Sequence, residues 1–181
     1  MPKHLFFPYN QDMTEIVQKD NPVLRQKATE VALSEIASPR IQGILADMKK
    51  SLASQKDGVA LAAPQIGIPL RIFVVAGFAL TEELQESKDC PADLIFINPV
   101  ITKLSKDKVE LEEGCLSIRH FYGKTIRSTK ATVRAYNEKG EVFQRGGSGL
   151  LAQIFQHETD HLDGILFIDH ATDVQEANTI Q

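Results

Sequence analysis

One short stretch, His157-Glu158-Thr159-Asp160-His161, reads H-E-x-x-H. On a helix, residues four apart project from one face, so His157 and His161 stand one turn apart with Glu158 beside them. Two imidazoles at that spacing can hold a divalent metal, and the adjacent carboxylate can move protons for a water the metal activates. The same pattern also arises in helices whose histidines are ordinary surface or core groups. A catalytic metal of this type needs a third protein ligand, and the candidates are Cys115, His120, His170 and nearby carboxylates. Cys115 lies in Glu112-Glu113-Gly114-Cys115-Leu116-Ser117, directly after a predicted strand. A thiolate beside two imidazoles suits zinc or ferrous iron and disfavours magnesium or calcium.

The elements that must position these groups are legible as patterns. Gly146-Gly147-Ser148 is expected to break a sheet, with Ser148 capping a helix that runs to about Asp163 and Gly164 closing it. In that helix Leu150, Ile154, His157 and His161 step by four, three and four, so the histidines continue an apolar stripe. Two buried imidazoles and a buried carboxylate without a cation would be costly to desolvate. A second helix is predicted over 38–55. Ser38 is its cap, Pro39 its first residue, and Ile41, Ile44, Leu45, Met48 and Leu52 its buried face. Strands are expected at 70–75, 94–97 (stopped by Asn98-Pro99), 100–104, 109–113 and 165–168, with a hairpin turning on Asn137-Glu138-Lys139-Gly140. Residues 79–93 read as a solvated excursion, 1–14 as an N-terminal extension and 171–181 as a polar tail.

Composition bounds the rest. The chain has 181 residues, 43% hydrophobic and 24% charged, which fits one soluble domain at about 150 residues per domain. Net charge is -4, so no overall basic field favours nucleic acid or anionic lipid. Two cysteines make no disulfide framework, and Cys90 reads as an incidental thiol. No apolar run reaches the roughly 20 residues needed to cross a membrane. The expectation is a cytoplasmic protein without membrane or specific nucleic-acid partners, most simply a monomer.

Three segments in order resemble the signature motifs of the peptide deformylases. Gly58-Val59-Ala60-Leu61-Ala62-Ala63-Pro64-Gln65 resembles G-x-G-x-A-A-x-Q, Glu113-Gly114-Cys115-Leu116-Ser117 matches E-G-C-L-S, and 156–164 matches Q-H-E-x-D-H-L-x-G. The likeness extends from about residue 15 to 170. It implies an α+β fold of mainly antiparallel sheets around a central metal-binding helix. It also implies a hydrolase that removes the N-formyl group from the initiator methionine of nascent chains, releasing formate. By position, Cys115, His157 and His161 would bind ferrous iron (Fe2+), replaceable by zinc, nickel or cobalt (Zn2+, Ni2+, Co2+). Glu158 would carry the proton, and Gln65 with the Leu116 amide would form the oxyanion hole. Leu111, Leu150, Ile154 and His157 would line the methionine pocket, with Glu113 and Gly114 nearby. Gly58, Val59, Ala60 and Leu61 would pair with the peptide as an added strand. Arg127 is expected to pair with Asp160.

Two positions depart from the pattern. Ala60 replaces the second glycine of the first motif, and its methyl is expected in the path of the substrate, with strain if φ is positive. Arg119 and His120 follow E-G-C-L-S-I where the family usually has proline, and are expected to face solvent. These departures motivate the alternative of a deformylase-like protein with altered or lost activity. Another metal-dependent peptidase or amidase would share the helix motif. The tail carries no Lys or Arg, which disfavours ribosome docking by a basic C-terminal helix; transient ribosome proximity remains part of the expectation.

Overall fold

A computed structural model describes residues 15–80 and 91–177. His4, Cys90 and the extension over 1–14 lie outside the described residues, as does most of the excursion over 79–93. In chain order the elements are α1 (Pro39–Ala53), β1 (Ala60–Ala62), β2 (Ile72–Val75), β3 (Leu94–Leu104), β4 (Lys108–Cys115), β5 (Ile118–Ser128), β6 (Lys130–Tyr136), β7 (Val142–Ser148), α2 (Gly149–Leu162) and β8 (Thr172–Glu176). One sheet has the order β1-β2-β3-β6-β7 and the other β4-β5-β8. The pairings within both sheets are antiparallel, giving the expected α+β class.

The five-stranded sheet is covered on both faces, which explains the unbroken apolar runs of its central strands. Successive residues of β2 point opposite ways. Ile72 and Val74 join Ile41, Ile44, Leu45 and Met48 of α1 in one core, whereas Phe73 and Val75 join Ala152, Phe155 and Leu162 of α2 in another. Phe73 stacks on Phe96 at 4.4 Å, and Phe155 meets the edge of Phe96 at 5.3 Å. The α1 start is as read: Ser38 accepts from the Ile41 amide at 3.3 Å and Pro39 opens the helix.

Several boundaries differ from the sequence reading. Asn98-Pro99 does not stop β3. The strand passes through an irregularity there, with Asn98 at φ 50° and its amide bonded to both the N–H and the C=O of Val31 at 2.8 Å. Gly146-Gly147-Ser148 does not break the sheet, because all three pair with β6. Ser148 sits at the cap of α2 without a side-chain capping bond. The strand expected at 165–168 is instead coil and a 3-10 turn (Phe167–Asp169), with Leu166 and Phe167 packed on Leu24 and Ile118. The polar tail contains β8, which pairs with β5. Strand β5, which the sequence reading did not propose, is the spine of the smaller sheet.

Candidate metal centre

Helix α2 has two working faces. One is the apolar face that packs on the five-stranded sheet. The other presents His157, Glu158 and His161 toward the end of β4, where Cys115 closes the strand. One ligand atom from each of Cys115, His157 and His161 lies within 4.8 Å of the other two. Cys115 Sγ is 3.2 Å from His161 Nε2. The thiol also receives the Ser117 amide at 3.4 Å and Gln65 Nε2 at 3.5 Å, donors that suit a thiolate.

The supports of this triad run through the smaller sheet. His157 Nδ1 donates to Glu113 Oε1 at 2.7 Å, which leaves Nε2 to face the other two ligands. Arg127 grips Glu113 with Nη2 at 3.0 and 3.1 Å and reaches Asp160 with Nη1 at 2.7 Å. Glu113 and Arg127 are only 4% and 7% exposed, so this is a buried charge network. Burial pushes the Glu113 carboxyl up, but the bonds and charges of His157 and Arg127 outweigh it and hold the group at about 2. Gln156 pins the helix to the end of β5: its Oε1 accepts from the Ser128 amide at 2.9 Å and its Nε2 donates to the Ser128 carbonyl at 3.0 Å.

At this centre Glu158 Oε2 and His161 Nδ1 are buried with no hydrogen-bond partner among the described residues. Burial pushes the Glu158 carboxyl up to about 7, the His157 charge opposing and those of Glu113 and Asp160 assisting. Burial, and then the His157 charge, push the His161 imidazole well below its ordinary range, so it is neutral and able to ligate. Burial opposes a positive charge at His157, but the bonds to Cys115 and Glu113 and the charges of Cys115 and Glu158 outweigh it and push the imidazole up. A thiolate-imidazole set of this size, beside the unpartnered buried oxygen of Glu158, fits a divalent zinc- or iron-type ion. Such an ion would also pull the Glu158 carboxyl back down.

A cleft of about 460 Å³ opens beside the triad. Gly58, Val59 and Ala60 form one wall, and Glu113, Gly114, Cys115 and Leu116 another. Leu150, Ile154, His157 and Glu158 come from α2, and Gln65 is present. Gln65 is held by the Ala62 amide, which donates to its Oε1 at 2.8 Å, so Nε2 points at Cys115 and Ser117. The side chains of Leu61 and Leu111 are not among those lining the cleft, although the Leu61 backbone lies on the free edge of β1. Leu61 is fully buried against the α1 core, because alternation along β1 turns it away from Ala60. Leu111 pairs with Thr125 inside the smaller sheet.

The departures also resolve. Ala60 lies in extended β1, outside the left-handed region, so the strain expected for a positive φ does not arise. Its side chain is 6% exposed and packs in the Phe73 core rather than standing free in the cleft. Arg119 does not simply face solvent: it lines the cleft and is bonded to Asp57. Phe121 and Tyr122, which follow Arg119 and His120 in sequence, line the cleft as well, and Asp57 and Gln153 line it without having been foreseen. Tyr122 stands opposite Gly114 in the β4–β5 register, where its ring occupies the space a Cβ would take.

The polypeptide deformylase family model matches residues 13–177. Peptide deformylase 1A, chloroplastic/mitochondrial, of Arabidopsis thaliana is 42% identical over 165 residues, covering 87% of this chain. This chain spans 61% of that plant protein. Peptide deformylase of Desulforudis audaxviator is 39% identical over 88% of this chain and 94% of its own length. The Met-Ala-Ser-bound class I type b peptide deformylase of Acinetobacter baumannii superposes with TM-score 0.74 at 29% identity, over 86% of this chain and 96% of that one. Motifs, fold and matched length agree, and the chain belongs to the peptide deformylase family, a family of metal-dependent hydrolases.

Proposed function

We propose that this chain hydrolyses the formyl amide of N-formylmethionyl peptides, releasing formate and a free amino terminus. The single observation that carries this reading is the meeting of Cys115, His157 and His161 with Glu158 and Gln65 at one end of the cleft. A metal held by the triad supplies a Lewis acid that makes water nucleophilic near neutral pH. Ferrous iron is our assignment, with zinc, nickel or cobalt able to replace it on the same donor set.

The chain's own residues do the rest. Glu158 takes the proton of the attacking water as oxygen adds to the formyl carbon. Gln65 Nε2 and the Leu116 amide donate to the carbonyl oxygen as it gains charge, worth about 3–4 kcal/mol each by analogy with other acyl transfers. Glu158 then returns the proton to the amine nitrogen as the C–N bond breaks. The same carboxylate thus serves in both directions, first as base and then as acid.

Leu150 and Ile154 give an apolar wall for the methionine side chain. Strands β1 and β4 are both sheet edges and both reach the cleft, so an extended peptide can add along β1. The match over 13–177 supports reading the chain as one deformylase domain, and action as a monomer with transient ribosome proximity is part of the proposal. Among the described residues no helix is long and apolar enough to cross a membrane. A cytoplasmic place of action is part of the proposal, and an organelle interior would serve the same chemistry. The test is formate release from formyl-Met-Ala-Ser set against cleavage of unblocked Met-Ala-Ser. Release only from the formylated peptide supports the reading, and peptide-bond cleavage of the unblocked one overturns it.

A further inference from the structure

The cleft carries a charged pair that the hydrolysis does not use. Asp57 stands just ahead of β1 and Arg119 at the start of β5, so they line opposite walls. Arg119 Nη1 donates to both Asp57 oxygens, at 3.1 and 2.9 Å, and Nη2 donates to Gln55 Oε1. The guanidinium is thus held from two sides. Its Nε has no hydrogen bond among the described residues, and the side chain remains 33% exposed in the cleft. A fork fixed in this way loses little side-chain freedom when it meets a further acceptor.

The position of the pair says which part of a substrate would meet it. Gln65, beside Cys115, marks the reacting end of the 57–65 wall, and Asp57 marks the other. A peptide laid along the free edge of β1 from the triad runs toward Asp57, advancing about 3.3 Å per residue. With its methionine near Ala60, its second and third residues come abreast of Val59 and Gly58, the third next to Asp57.

We propose that Arg119 is a specificity-determining residue that favours an acidic side chain at the second or third position of the substrate, with Asp57 positioning it. The inference rests on the deformylase reading. A carboxylate offers the fork a charge-assisted acceptor, whereas a lysine there meets a like charge. Asp57 offsets part of the Arg119 charge, so removing either member shifts selectivity in opposite directions.

The test uses the metal-loaded full chain and two peptide series, formyl-Met-X-Ser and formyl-Met-Ala-X, with X as Asp, Ala or Lys. The readout is the ratio of kcat/KM for Asp over Lys, at low and high salt. In at least one series the ratio exceeds one and narrows with salt. Arg119→Gln lowers it about fivefold, the size expected of a partly exposed charge pair. Asp57→Asn raises it, and Arg119→Lys retains part of it. An unchanged ratio in Arg119→Gln, or an equal loss on every peptide, overturns the assignment. Formate release from formyl-Met-Ala-Ser by the wild type separates the two levels: without it the deformylase reading fails, and with it but a constant ratio only the Arg119 assignment fails.

Discussion

The two sheets are stabilised in different ways. In the five-stranded sheet Phe73, Phe96, Val133 and Ala135 pack on α2, with apolar contacts on both faces of its centre. In the three-stranded sheet Ile118 joins a small apolar cluster with Leu24, Leu166 and Phe167, while Glu113, Thr125 and Arg127 are buried yet polar. The first sheet holds itself together by exclusion of water. The second is held by a charge network whose purpose is to aim His157. Helix α2 stands between them, with Phe155 on one face and the histidines on the other. Stability and chemistry are thus divided between opposite faces of one helix.

Substitutions on each side can break that division. The largest loss of stability belongs to the apolar side. Phe73→Ala, at a fully buried ring, is expected to cost about 3–5 kcal/mol in chemical denaturation, with one metal still bound per folded chain. Arg127→Ala leaves Glu113 and Asp160 without their cation. It should cost about 3 kcal/mol and, unlike Phe73→Ala, weaken metal affinity about 10–100-fold in a chelator competition. Equal metal affinity in the two variants would remove the proposed division.

The pH dependence sharpens the same contrast. The folded-state pKa of Glu113 is depressed from 4.5 to about 2, so its contribution is fully present above 4.5 and is lost as pH falls toward 2. Denaturation followed over that window should show a steeper loss for the wild type than for Glu113→Gln. The smallest effect is expected at Ala60. Since its methyl is packed inward, Ala60→Gly should lose roughly 0.5–1 kcal/mol of stability and change kcat/KM on a formyl-Met peptide by less than about twofold. A large gain in turnover would show that the methyl stands in the substrate's path after all.

The same contrast explains what the sequence made legible. Helix α1, strand β2 and the apolar half of α2 are read from periodicity, because their burial is apolar and follows 3.6 or near-continuous patterns. Strand β5 was missed because its inward residues, Thr125 and Arg127, carry no apolar signal; Arg127 is held by bonds to Glu113 on β4 and Asp160 on α2, and the Thr125 hydroxyl is buried with no partner among the described residues. Gly146 and Gly147 looked like breakers, yet as part of an edge strand they keep their ladder pairing with β6. The residues of the triad were found from motif spacing, and Arg127 with Asp160 from position. The grip of Arg127 on Glu113 needed the β4–β5 register, which sequence spacing does not contain.

The most direct measurement is formate release from formyl-Met-Ala-Ser by protein loaded anaerobically with ferrous iron, compared with Glu158→Ala carrying the same metal content. Turnover by the wild type and a loss of about 10²–10⁴-fold in the variant is the expected result for a buried proton carrier. Equal rates at equal metal occupancy would contradict the role given to Glu158 and with it the account of this centre.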